Sequence, residues 1–123
     1  MLFNILNDRY GSENNIFPYN IGISNKKGKI KLNIASKSLM SSIAEINYDS
    51  QFFINRNITY EDSVDIEVET LDNFCETNNI FYVDLLKLNV QGYEPYCLDG
   101  AKNLIKGNKI HLIIVELDMG DRY

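Results

Sequence analysis

Hydrophobic and polar positions change period several times along this chain, and each change marks an element. Leu2, Phe3, Ile5 and Leu6 fall at helical spacing, so residues 2–9 read as the last turns of a helix, with Gly11-Ser-Glu-Asn-Asn15 as its polar exit. From Ile16 the period drops to two, and Phe17, Tyr19, Ile21 and Ile23 share one strand face. After the turn Asn25-Lys-Lys-Gly28, Ile30, Leu32 and Ile34 alternate with Lys29, Lys31 and Asn33. Two alternating runs around such a turn predict a β-hairpin whose second strand is half exposed. Residues 35–63 keep no steady period beyond a short helix near 39–46. A connection this long reads either as a lid or binding loop or as a surface excursion, with Phe52, Phe53 and Ile54 as its anchors.

Val64, Ile66 and Val68 then alternate with Asp65, Glu67 and Glu69, an acidic row suited to pair with the Lys29/Lys31 strand. Thr70 is a good N-cap for a helix carrying Leu71, Phe74 and Cys75 on one face, ended by Asn78-Asn79. Ile80–Val90 is a nearly continuous apolar run, as expected of a strand covered on both faces of a parallel sheet. Gly92 turns the chain, Pro95 helps start a helix, and Cys97, Ala101, Leu104 and Ile105 give that helix one apolar face until Gly107-Asn108. Ile110–Leu117 is a second buried strand. Strand, helix, strand with short links predicts a right-handed βαβ unit. Its carboxyl rim would gather Asn89, Gln91 and Glu116, with Glu94 at the start of the following helix; open α/β sheets bind ligands outside that rim. The same residues also have plain structural roles open to them, since Glu94 can complement a helix dipole and Glu116 can simply end a strand.

Composition narrows the function classes. The chain has 123 residues, enough for one domain, and a hydrophobic share of 45% supports a packed core. A net charge of -5 argues against nucleic acid or an anionic membrane as partner. The cluster Lys26, Lys27, Lys29 and Lys31 reads as a solvated turn. The opening Met1-Leu-Phe-Asn lacks a basic leader, and no apolar run has the length to span a bilayer, so a cytoplasmic location is expected. Cys75 and Cys97, on amphipathic helices, read as buried free thiols. His111, the one histidine, reads as structural at the start of a buried strand. No Cys/His grouping has metal-site spacing, and no Ser/His/Asp order suggests a hydrolase.

The run Asp84-Leu-Leu-Lys-Leu-Asn-Val-Gln-Gly-Tyr-Glu-Pro-Tyr-Cys-Leu-Asp-Gly-Ala101 resembles the D-L-L-K-(I/L)-D-(V/I)-(E/Q)-G-x-E signature of the FkbM family of S-adenosylmethionine-dependent methyltransferases. Asn15 to Ser24 with Lys27-Gly28, Val68 to Phe74, and Ile110 to Glu116 resemble further family segments, in order and at about the family's spacing. The resemblance implies an α/β fold: a partial Rossmann-like class I methyltransferase sheet with a β-hairpin extension and a C-terminal βαβ unit, in a single domain over residues 1–123. It implies methyl transfer from S-adenosylmethionine to a hydroxyl oxygen of a small molecule or glycan. By the same resemblance, Asn89, Glu94 and Lys87 are the catalytic candidates, and Ser24 and Asn89 the cofactor-binding ones. Asn89 stands where the family has aspartate, so it can orient a hydroxyl but cannot serve as a carboxylate base. The glycine-rich turn and strand-ending carboxylate that hold the cofactor in such enzymes have no counterpart here. The chain is therefore expected to be a middle-to-C-terminal portion, inactive alone, with open sheet edges that favour self-association. The alternative is a non-catalytic binding or regulatory module on the same half-fold, and an unrelated α/β transferase using the same rim is a second rival.

Overall fold

The computed structural model describes residues 2–37 and 41–116. In chain order the elements are α1 (Leu2–Tyr10), β1 (Gly22–Ile23), β2 (Gly28–Ala35), α2 (Gln51–Asn55), β3 (Tyr60–Glu69), α3 (Leu71–Thr77), β4 (Val83–Leu88), α4 (Glu94–Asp99), α5 (Lys102–Lys106) and β5 (Ile110–Val115). They build a mixed α/β protein with two small sheets, one of order β1-β3-β2 and one pairing β4 with β5. No helix among the described residues is long and apolar enough to cross a membrane.

The expected hairpin is corrected. β1 shrinks to two residues and pairs in parallel with β3, while β2 pairs antiparallel with the other side of β3. The turn after Ser24 therefore joins two strands that flank β3 and do not touch each other. Charge explains the choice of partner. Register sets Lys29 opposite Glu67 and Lys31 opposite Asp65, each as an ion pair of 3.2 Å, and Lys27 reaches Glu69 at 3.2 Å. Such a row contributes only a few tenths of a kcal/mol to about 1 kcal/mol per exposed pair, and the uncharged run of residues 16–23 offers the lysines no such partners. Phe17 is left exposed, and Tyr19 packs edge-on against Phe74 at 4.8 Å.

Residues 36–37 and 41–59 are neither a long helix nor a bare loop. The short helix expected near 39–46 is absent over its described part, residues 41–46, because serine hydroxyls there take backbone partners. Ser41 Oγ accepts the Ala35 amide, Ser42 Oγ accepts the Ala44 amide, and Ser42 bridges Asn33 through the backbone. Helix forms later, at α2, where Ser50 caps the Phe52 amide. Phe53 anchors it in a cluster with Ala35, Ile46 and Ile58, whereas Ile54 is exposed.

The single helix expected from Glu94 to Lys106 is two helices. The break falls at Gly100–Ala101, where Ala101 leaves helical geometry at φ -112° and ψ 16°; a Cβ on residue 100 would lie 2.0 Å from the Ser24 carbonyl oxygen, so only glycine lets the chain pass this close. Asp72 then restarts the helix, its two carboxylate oxygens accepting the amides of Asn103 and Leu104 at 2.9 Å each. Asp72 itself follows the cap Thr70, whose hydroxyl accepts the Asn73 amide. The Thr70-Leu71-Asp72 segment thus caps two helices and places Leu71 with Cys75, Ala101 and Leu104 in one core cluster.

β4 and β5 run parallel, from Val83↔Ile110 to Leu88↔Val115, as the βαβ reading expects. They are covered on one face, where Leu86 and Leu88 meet the helices. On the other face Leu85, Leu112 and Ile114 stand roughly half exposed, so the continuous apolar run reflects a strand with one bare side among the described residues. His111 is exposed on β5, not enclosed.

Candidate functional site

The last paired residues of the parallel sheet are Leu88 and Val115, and the Glu116 amide still donates to the Leu88 carbonyl at 3.1 Å. Asn89 and Glu116 therefore leave adjacent strands side by side, both exposed, on the rim where the sequence placed them. Gln91 joins them: its Nε2 donates to Asn89 Oδ1 at 2.8 Å.

Past the rim the chain reverses through two left-handed residues, Gln91 at φ 52° and Gly92 at φ 90°. Glycine adopts this conformation freely, but glutamine does so only when its surroundings hold it there. Two side chains do so. Glu94 is 2% exposed and accepts the Val90 amide on Oε1 at 2.8 Å and the Gly92 amide on Oε2 at 2.9 Å. Ser42, from the 41–46 segment, donates its hydroxyl to the Gln91 carbonyl at 2.6 Å. Both carboxylate oxygens of Glu94 are thus committed to backbone, and the side chain faces the turn it shapes.

The turn separates two depressions. One, about 470 Å³, is lined by Leu32, Ser41, Ser42, Ile43, Asn89, Val90 and Gln91. The other, about 440 Å³, is lined by Ile43, Ala44, Glu45, Gly92, Tyr93 and Tyr96. Ile43 borders both, so the 41–45 segment is a common wall.

Ser24 lies elsewhere. It follows β1 with no solvent exposure, beneath Gly100, and its hydroxyl pairs with the Tyr93 hydroxyl at 3.1 Å. Lys87 is exposed and shares the strand face of Leu85, opposite the helices. The structure therefore brings Asn89, Gln91, Glu94 and Glu116 together, connects Ser24 to them through Tyr93, and sets Lys87 on the bare side. Cys97 packs beneath the turn, donating its thiol to the Ile23 carbonyl at 3.2 Å. Burial, with the nearby Glu94 charge, pushes that thiol up to about 11. Cys75 is shifted upward as well, chiefly by burial, and both cysteines are free.

Sequence reasoning missed Ser42, Glu45, Tyr93 and Tyr96. The tyrosines carried a readable signal, since they sit three apart at the start of a helix, where side chains meet. Ser42 carried none, because its partner is 49 residues away.

A cradle for S-adenosylmethionine needs a glycine-rich turn that lets backbone approach the donor. Gly22 and Gly28 are the nearest pair of glycines in the chain, and Gly92 stands alone on the rim. The close approach at Gly100 is filled by Ser24. The described residues do not fit such a donor.

A parallel βαβ unit with polar residues at its strand ends defines an α/β protein whose candidate site lies on that rim. The chain belongs to the FkbM methyltransferase family: the family's domain, described as Methyltransferase FkbM domain, matches residues 3–123. Comparison with curated proteins and with solved structures gives no significant match.

Proposed function

We propose that this chain carries the acceptor-side half of a methyltransferase site, which orients a hydroxyl oxygen of a small molecule or glycan for transfer from S-adenosylmethionine. The observation that carries this reading is the Asn89–Gln91 pair, at the joint end of β4 and β5, on a turn fixed by Glu94 and Ser42. A rim rigid enough to hold a left-handed glutamine can hold an acceptor in one orientation, which is the main demand of group transfer. Asn89 would donate to or accept from the acceptor hydroxyl while taking no proton. Glu94 acts as a positioning residue through the turn. Ser24 would influence a ligand only through the Tyr93 ring that it anchors, and Lys87 offers a cation on the uncovered face.

The donor cradle is not among the described residues, so the chain alone should be inactive. A labelled methyl-transfer assay with a mixture of hydroxyl acceptors checks this. We expect no turnover from the chain or from Asn89→Asp, and turnover by either would overturn the half-site reading. The bare apolar stripe of Leu85, Leu112 and Ile114 favours one second reading, a binding or regulatory module completed by another polypeptide or by self-association. Sedimentation separates the two, since a stable monomer at high concentration speaks against an obligate partner.

A further inference from the structure

We infer that the depression between Tyr96 and Glu45 is a subsite for a neutral pyranose ring, stacked on Tyr96 and held through its hydroxyls by Glu45. This rests on the acceptor-side reading above and names the class of acceptor. Tyr93 is buried, its hydroxyl tied to Ser24, so its ring is fixed. Tyr96 stacks on it with centroids 4.5 Å apart and planes 19° apart, yet stays 48% exposed. One face of Tyr96 is thus spent on Tyr93, and the rest of this half-exposed ring lines the depression on a fixed base. A flat aromatic face with a negative quadrupole attracts the polarised C–H groups that line one side of a sugar ring.

The same lining supplies a polar partner. Glu45 is exposed, and its neighbour Ala44 is buried against Leu88, Tyr93 and Cys97. The segment is pinned on both sides, by Ser42 to the Gln91 carbonyl and by the Asn33 amide group to the Ala44 carbonyl at 3.3 Å. A carboxylate accepts only, so it selects hydroxyl donors and repels anions. Among the described residues, the lining holds no cation that would offset its charge. Phosphorylated and sulfated sugars are therefore disfavoured. At about 440 Å³ the space takes one ring, and Ile43 walls it from the depression that Asn89 lines, so a bound sugar lies one side chain away from the rim.

The test follows the tyrosine rings and the Glu45 methylenes by proton–carbon spectroscopy. Methyl β-D-glucopyranoside and methyl β-D-galactopyranoside are titrated into the chain, and a glucose phosphate ester, adenosine and S-adenosylmethionine are titrated in separate arms. Progressive shifts at Tyr96 and Glu45 with a neutral glycoside, and none with the phosphate ester, are expected. Tyr96→Ala should weaken that binding about tenfold while Tyr96→Phe retains it. Both sites are exposed, so an unchanged far-ultraviolet dichroism spectrum of each variant separates lost binding from lost fold. Shifts at Tyr96 with adenosine but with no glycoside overturn the sugar subsite, as do glycoside shifts that survive Tyr96→Ala. Failure of the sugar arms with no S-adenosylmethionine binding removes the subsite and leaves the half-site reading standing. Binding of S-adenosylmethionine that leaves Tyr96 unmoved overturns the half-site reading alone, and binding that moves Tyr96 where no glycoside does overturns the sugar subsite as well.

Discussion

Replacing Glu94 by alanine should destabilise the protein more than any other substitution on the rim. The carboxylate is 2% exposed and accepts two backbone amides, at 2.8 and 2.9 Å. Each hydrogen bond to a charged acceptor contributes about 1.5–3 kcal/mol, and each buried amide left alone costs about 1–3 kcal/mol. Water entering the vacated space recovers part of this, which leaves a net loss of about 3 kcal/mol for Glu94→Ala. Glu94→Gln keeps one acceptor and turns an amide group toward the other N–H, for a loss of about 2 kcal/mol. Domains of this size have roughly 5–15 kcal/mol in total, and each kcal/mol moves the midpoint by about 3–5 °C. Thermal and urea unfolding should thus show Glu94→Ala falling by about 10 °C, with Glu116→Gln, at an exposed strand end, within about 0.5 kcal/mol of the parent. Hydrogen exchange adds a local readout, since protection at Val90 and Gly92 should be lost before that of β4. A Glu94→Ala midpoint within about 0.5 kcal/mol of the parent would refute the assignment of this side chain to the turn.

Three further outcomes follow from the same geometry. Gly100→Ala, whose Cβ would sit 2.0 Å from the Ser24 carbonyl, should cost more than about 2 kcal/mol in urea unfolding, whereas Gly107→Ala, with 3.0 Å to its nearest atom, should cost clearly less. Cys97, raised to about 11, should resist thiol reagents at neutral and mildly alkaline pH until the chain unfolds. Its folded value lies above the unfolded one, so the stability it contributes is present below the unfolded thiol range and fades as pH rises toward about 11; Cys97→Ala should flatten that alkaline slope. Glu69 is depressed, first by the Thr70 amide that it accepts and further by Lys27, against an opposing push from burial. Its contribution is therefore present above the ordinary carboxylate range and lost as pH falls through the lowered folded value. Glu69→Gln should reduce the acid-side slope of stability, measured by urea midpoints across acidic pH.

Local chemistry was the most legible part of the sequence. Thr70 as a cap, Asn78 and Gly107 as stops, and the lysine row facing the acidic row all depend on residues close in sequence or on a simple period, and each stands in the structure. The rim of Asn89 and Glu116 was legible for the same reason, because it follows from two parallel strands and their ends. What failed depended on distant backbone. The Phe17–Ile23 run alternates well, yet β3 offered the better-charged partner and left most of it unpaired. The helix after Glu94 carried an unbroken apolar face, which hid both the break at Ala101 and the Ser24 carbonyl that requires glycine at 100. Glu94 was visible as a rim residue, but its commitment to the Val90 and Gly92 amides was not, since that depends on the left-handed turn at Gln91.

The central claim is that these residues form an acceptor-side rim without a donor cradle. Calorimetric titration of S-adenosylmethionine into the folded chain tests it most directly. Heats indistinguishable from dilution are predicted, with Asn89→Asp behaving the same way. One-to-one binding in the micromolar range would contradict it and would place a donor pocket within this chain.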